Sequence, residues 1–155
     1  MVDSTEVSRQ LAREIALDCQ EVLLNFLAHV DAGEYREMEK YFAQDGLWKR
    51  VDGDIRGVEE LRARFMTRSA GVKTRHVVTN FIATVIDANT AAVRSYITAY
   101  RHDPREHSPQ QNAPGTPQNA QHCMVLTCKD ELVRIDGVWK IRFRQATPDL
   151  VLETG

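Results

Sequence analysis

The chain has no excess of positive charge, no long apolar run and no even set of cysteines, and each absence removes a class of protein. Lys and Arg number 20 against 22 Asp and Glu, a net charge of −2. Nucleic-acid binders carry a basic balance or a basic stripe, so no nucleic-acid partner is expected. No apolar stretch approaches the roughly 20 residues that span a bilayer, and no membrane partner is expected either. The opening MVDSTEVSRQLAREIALDCQEV is charged throughout and lacks the basic-then-apolar pattern of a secretory signal. The cytoplasm is therefore the expected location. Cysteines stand only at 19, 123 and 128, an odd count without repeated spacing, which argues against a disulfide framework. Glycine-rich phosphate loops and nucleophile elbows are missing. His102, His107 and His122 fit no compact metal spacing. No metal and no cofactor are expected.

What is present is the balance of an ordinary globular protein, 43% hydrophobic and 27% charged over 155 residues. That length fits a single domain, 1–155. From Thr5 to about Val30 no Gly or Pro occurs, and Leu11, Ile15, Cys19, Val22, Phe26 and Val30 recur every three or four residues, the stripe of a helix. Gly33 interrupts it, and a short second helix is expected with Tyr35, Met38 and Phe42 on one side. Gln44-Asp45-Gly46 reads as a turn, Leu47 to Val51 as a strand, and Val58 to Arg68 as a third helix facing inward through Val58, Leu61 and Phe65. After Gly71 the period falls to two. Strands are expected over 74–86, 91–100, 122–135 and 138–144, with hairpin turns at 87–90 and at Asp136-Gly137. In the last strand Trp139, Ile141 and Phe143 alternate with Lys140, Arg142 and Arg144, a basic row read as a solvated or subunit-facing surface.

Residues 104–121 hold four of the five prolines and almost no apolar side chain. Such a segment buries too little to offset its ordering entropy, which leaves a lid, a binding loop or disorder as its readings. Three helices followed by an antiparallel meander give an α+β class, with helices packed on one face of a strongly curved sheet. A pocket for a small molecule belongs in the concavity.

The runs FLAHVDAGEYREMEKYFAQDGLWKR, RGVEELRARF, TRHVVTNFIATVIDANTAAVRSYITAY and VRIDGVWKIRF resemble the SnoaL-like branch of the nuclear transport factor 2-like superfamily. That branch includes scytalone dehydratase, bile-acid dehydratase, polyketide cyclases and the small subunits of ring-hydroxylating dioxygenases. The resemblance covers roughly residues 15 to 145 and implies a cone-shaped fold around a pocket. It also implies acid–base work by an aspartate at the end of the first helix and a histidine on the first long strand, here Asp31 and His76. Where the family often carries a tyrosine about one turn before the aspartate, this chain has Phe26, which cannot donate a hydrogen bond. A second strand histidine has only an approximate counterpart in His122.

Read by themselves, these residues allow more than one role. Asp31 lies four residues after Leu27, on the apolar face, where burial and the helix C-terminus would raise its pKa. The pattern Asp31-x-x-Glu34 equally fits a capping box. As an imidazole His76 suits proton shuttling, or it is a core histidine on a face shared with Val78, Asn80 and Ile82. Asn80 either orients substrate or serves a bend in the sheet. Phe26, Tyr41 and Trp48 are candidate pocket walls or core, and Tyr96 lines either the pocket or the convex surface. Two functions follow. One is a cofactor-independent lyase or isomerase of the dehydratase type, acting on a small cyclic or polycyclic hydroxylated compound. The other is a non-catalytic binding or oligomer-forming module. A homo-oligomer, dimer or trimer, is expected, most readily if Trp139, Ile141 or Phe143 points outward.

Overall fold

A computed structural model describes residues 7–106, 120 and 122–152. Most of segment 104–121 therefore lies outside the described residues, apart from a 3-10 turn over Pro104–Glu106.

Helix α1 spans Arg9–Ala32. Ser8 caps it, its Oγ accepting from Leu11 N at 3.1 Å. Gly33 ends it in the left-handed region, φ 75°, and the following amides close back on His29 and Val30 carbonyls. Ile15, Cys19, Leu23, Phe26, Leu27 and Val30 form its buried stripe. Because the helix runs through Asp31, the capping-box reading is corrected. Glu34 makes no cap bond and instead accepts from His29 Nδ1 at 2.7 Å.

The second helix, α2, covers only Tyr35–Met38, followed by a 3-10 turn, so Phe42 opens a strand rather than closing a helix. That strand, β1, runs Phe42–Lys49 straight through Gln44-Asp45-Gly46, where a turn was expected. The Phe42 ring lies over Gly46: a Cβ there would stand 2.6 Å from Phe42 Cε1. A glycine in this strand thus marks a close approach, not a turn. Strand β2 (Ile55–Arg56) leads into α3 (Gly57–Met66), which buries Val58, Leu61 and Phe65 as its spacing predicts.

Four long strands follow: β3 (Lys73–Asp87), β4 (Thr90–His102), β5 (His122–Ile135) and β6 (Val138–Leu152). The sheet order is β2-β1-β6-β5-β4-β3. It is mixed rather than wholly antiparallel, because β1 pairs parallel to β6. Asp136 and Gly137, φ 51° and 81°, supply the two positive angles of a tight hairpin. Helix α1 touches β3, β4 and β6 at once, which requires the sheet to curve around it.

Two bulges decide which side chains face inward. In β3 the register shifts between Thr79 and Ile82, and Asn80 takes φ 52°. His76 and Val78 point inward before the bulge, and Phe81, Ala83 and Val85 pack on the core after it. Asn80 and Ile82 are exposed, which corrects the single face drawn through His76, Asn80 and Ile82. In β6 Ile141 pairs with Leu132 but Phe143 with Glu131, so Arg142 is the extra residue. Trp139 and Ile141 are buried, and beyond the bulge Arg144 is buried too. The outward-facing Trp139 and Ile141 of the dimer expectation, and the outward basic row at Arg144, are both corrected. An inserted residue reverses the alternation of everything after it.

Candidate active site

The C-terminal turn of α1 meets the start of β3, and this junction builds the site. Asp31 Oδ1 accepts from His76 Nδ1 at 2.6 Å and from Thr74 Oγ1 at 2.8 Å, while Oδ2 accepts from the His76 amide at 2.9 Å. Both side chains are mostly buried, 15% and 18% exposed. Burial pushes the Asp31 pKa up, but the hydrogen bonds and charge of His76, with the Thr74 hydroxyl, outweigh it, and the net shift is downward. The rise expected from burial and helix dipole is thus corrected: the carboxylate has too many donors. An ionised carboxylate only accepts, so a neutral His76 carries its proton on Nδ1 and keeps the Nε2 lone pair open.

His76 and Thr74 line a cavity of about 690 Å³, within the range that holds drug-sized ligands. Its inner wall includes Leu27, Val30, Trp48, Ile97, Cys128 and Arg144. Arg144 is 2% exposed and donates from Nη1 to Asp130 Oδ1 at 3.0 Å. Its guanidinium stands 5.6 Å from the Phe26 ring centre and 5.5 Å from that of Trp48. Asp130, fully enclosed, has its pKa raised to about 6 by desolvation, against the lowering pull of Arg144. Two buried donors in this wall, Arg144 Nε and Trp48 Nε1, have no hydrogen-bond partner among the described residues. Buried donors are rarely left unmet in folded proteins, so this pair is an unsatisfied feature of the wall.

The remaining candidates scatter. Trp48 is cavity wall, stacked on Phe65 at 5.9 Å. Phe26, 0% exposed, sits in the core behind that wall, against Phe42 and Trp48. Tyr41 stacks on His29 at 5.7 Å and does not border the cavity. Asn80 is the bulge residue, and Tyr96 is 38% exposed on the outer face. Pocket roles for Phe26, Tyr41, Asn80 and Tyr96 are therefore corrected. His122 borders the cavity at its exposed side, bonded to Glu106 at 2.9 Å. Strand alternation alone places Arg144 outside, because it does not count the bulge at Arg142. A usable signal lay opposite, in Asp130 between Cys128 and Leu132 at period two: a carboxylate on an inward face requires a buried cation.

The SnoaL-like domain family model matches residues 13–145. The chain belongs to that family. No curated protein matches it by sequence. Among solved structures, it is similar to a candidate scytalone dehydratase from Novosphingobium aromaticivorans, at 15% identity and a TM-score of 0.76, over 96% of this chain and 93% of that one. A hexachlorocyclohexane dehydrochlorinase (LinA type 2) matches at 15% identity and TM-score 0.73, over 96% and 94% of the two chains. A Nostoc punctiforme protein of unknown function with a cystatin-like fold matches at 25% identity and TM-score 0.67, over 86% and 90%. These likenesses establish the fold. No described helix is long and apolar enough to cross a membrane.

Proposed function

We propose that this protein is a lyase or isomerase of the dehydratase type, working on a small cyclic or polycyclic hydroxylated compound by general acid–base catalysis. The observation that carries the reading is the cavity-lining His76, bonded through Nδ1 to an ionised Asp31, with no protein partner at Nε2 among the described residues. Nε2 removes a proton from the carbon beside a carbonyl. The C–H electron pair becomes the new double bond, the C–O bond breaks, and the imidazolium returns its proton to the departing oxygen as water. Asp31 fixes the ring and stabilises its charged form, as the carboxylate does in other His–Asp pairs. Arg144 offers its positive charge to the enolate oxygen or the leaving group. The candidate dehydratase and the dehydrochlorinase of similar fold lend this chemistry support.

The test uses 2-tetralone in D2O, following deuterium uptake at its α-carbon by NMR. The protein is expected to accelerate exchange, and His76→Gln to lower the acceleration by about 10²–10⁴-fold. Equal exchange with and without His76 overturns the acid–base reading and leaves a binding module. Exposed Val77, Ile82 and Tyr96 on the outer face of β3 and β4 support a homo-oligomer, which light scattering would read as a dimer or trimer mass. Three free cysteines, all buried, suit a cytoplasmic setting.

A further inference from the structure

The cavity wall changes character from floor to rim. Its floor is apolar around Trp48, Ile97 and Cys128, and six arginines border it: Arg50, Arg64, Arg68, Arg101, Arg105 and Arg144. Among the described lining residues there is a single carboxylate, Asp52. Arg144 is satisfied on one side by Asp130 at the floor. The others sit toward solvent, where they divide into two groups.

On one side of the rim Arg101 and Arg105 both bind Asp103, and Glu106 takes Arg101 and His122. Carboxylates there match the arginines. The other group is different. Arg50 and Arg64 share Asp52, Arg50 also lying 4.7 Å over the Trp48 ring. The hydrogen bond from Arg50, with the charges of both guanidiniums and the bond from Arg64, holds the Asp52 carboxyl down to about 2 against its desolvation. The Arg68 side chain, half-buried just past the end of α3, has no hydrogen bond or ion pair among the described residues, only its backbone amide donating to the Phe65 carbonyl at 3.0 Å. Three guanidiniums there face one carboxylate. The two groups adjoin where the β3–β4 pairing runs out past Lys73 and His102, a Cβ on Gly71 there standing 3.0 Å from Pro104 Cγ, and the surplus charge lies on the Arg68 side of that seam. Low-dielectric walls around such a cluster focus its field on an incoming ligand.

We infer that the substrate carries an oxyanion, a carboxylate or a phosphate, on its solvent-side end, and that Arg68 with Arg50 and Arg64 binds it at the rim while the ring system fills the apolar floor. Guanidinium forks suit both oxyanions. The acid–base reading enters only in saying which end reacts: the floor end beside His76. Selection of anions over neutral rings belongs to the binding step alone.

The experiment measures Trp fluorescence quenching, at low ionic strength, by three probes of one shape: 2-naphthoate, 2-naphthyl phosphate and neutral 2-naphthamide. One or both anions are expected to bind about tenfold more tightly than the amide, the yield of one charge-assisted bond. The tighter anion identifies the head group. Added salt should shrink the ratio. Arg68→Gln, at a half-buried position outside every described ion pair, should remove most of it, and Arg64→Gln part of it. An amide that binds as well as both anions, a ratio untouched by Arg68→Gln, or no binding of either anion overturns the proposal. Failure of 2-tetralone exchange would sink the acid–base reading without moving this ratio, because no turnover is measured.

Discussion

Two carboxylates stand near the same cavity, each against a cationic or protonatable partner, and their environments drive them in opposite directions. Asp31 is partly exposed and collects three hydrogen bonds, from the His76 ring, the His76 amide and the Thr74 hydroxyl. Its pKa falls. Asp130 is wholly enclosed, accepting from Arg144 at Oδ1, its Oδ2 without a partner among the described residues. Its pKa rises to about 6. A nearby cation alone thus does not decide ionisation: donors at both oxygens do, against the cost of desolvation. The contrast also divides labour. Asp31 is an anion that holds a histidine in one tautomer, while Asp130 neutralises and positions the guanidinium of a cavity-lining arginine.

Breaking the second pair should cost most. Arg144→Met leaves the Asp130 carboxyl enclosed without its cation, and urea unfolding at pH 7 should report a loss of about 3–5 kcal/mol. Asp31→Asn should act on chemistry more than on stability: the amide no longer demands a proton on Nδ1, and 2-tetralone exchange should drop about a hundredfold or more. The smallest effect is a change of slope. With a native pKa near 6 and an unfolded value of about 3.9, native Asp130 binds more protons between those limits, so it lowers stability as pH rises through that window. Asp31 has the opposite sign: its contribution is present above the unfolded value and is lost as pH falls through the depressed native one. Unfolding midpoints of Asp130→Asn between pH 4 and 6 should therefore climb more steeply with pH than those of the parent. Identical slopes would remove the distinction between the two carboxylates.

Much of this was open to reading from the residues, and the failures share one cause. Helices α1 and α3 announce themselves by a stripe that meets no glycine or proline, and the β5–β6 hairpin by Asp136-Gly137. Asp31 and His76 stand out through residue type, inward face and family resemblance, and the structure brings the two side chains within hydrogen-bond reach. Bulges at Asn80 and Arg142 left no such mark. Each adds one residue, so alternation counted through it puts every later side chain on the wrong face. That miscount set Asn80 beside His76 and hid Arg144 in a surface row. The rim arginines come from the loop after β1, from α3 and β4, and from the segments that follow those two, and only the folded chain shows that Asp52 serves two of them.

The central claim is that neutral His76 is protonated on Nδ1, toward Asp31, and presents a bare Nε2 to the cavity. Nitrogen-15 NMR of histidine-labelled protein above the ring's titration, assigned with His76→Gln, reads this directly. An Nδ1–H resonance with an unprotonated Nε2, lost or redistributed in Asp31→Asn, is the expected result. A His76 ring protonated at Nε2 and bare at Nδ1 would contradict the account.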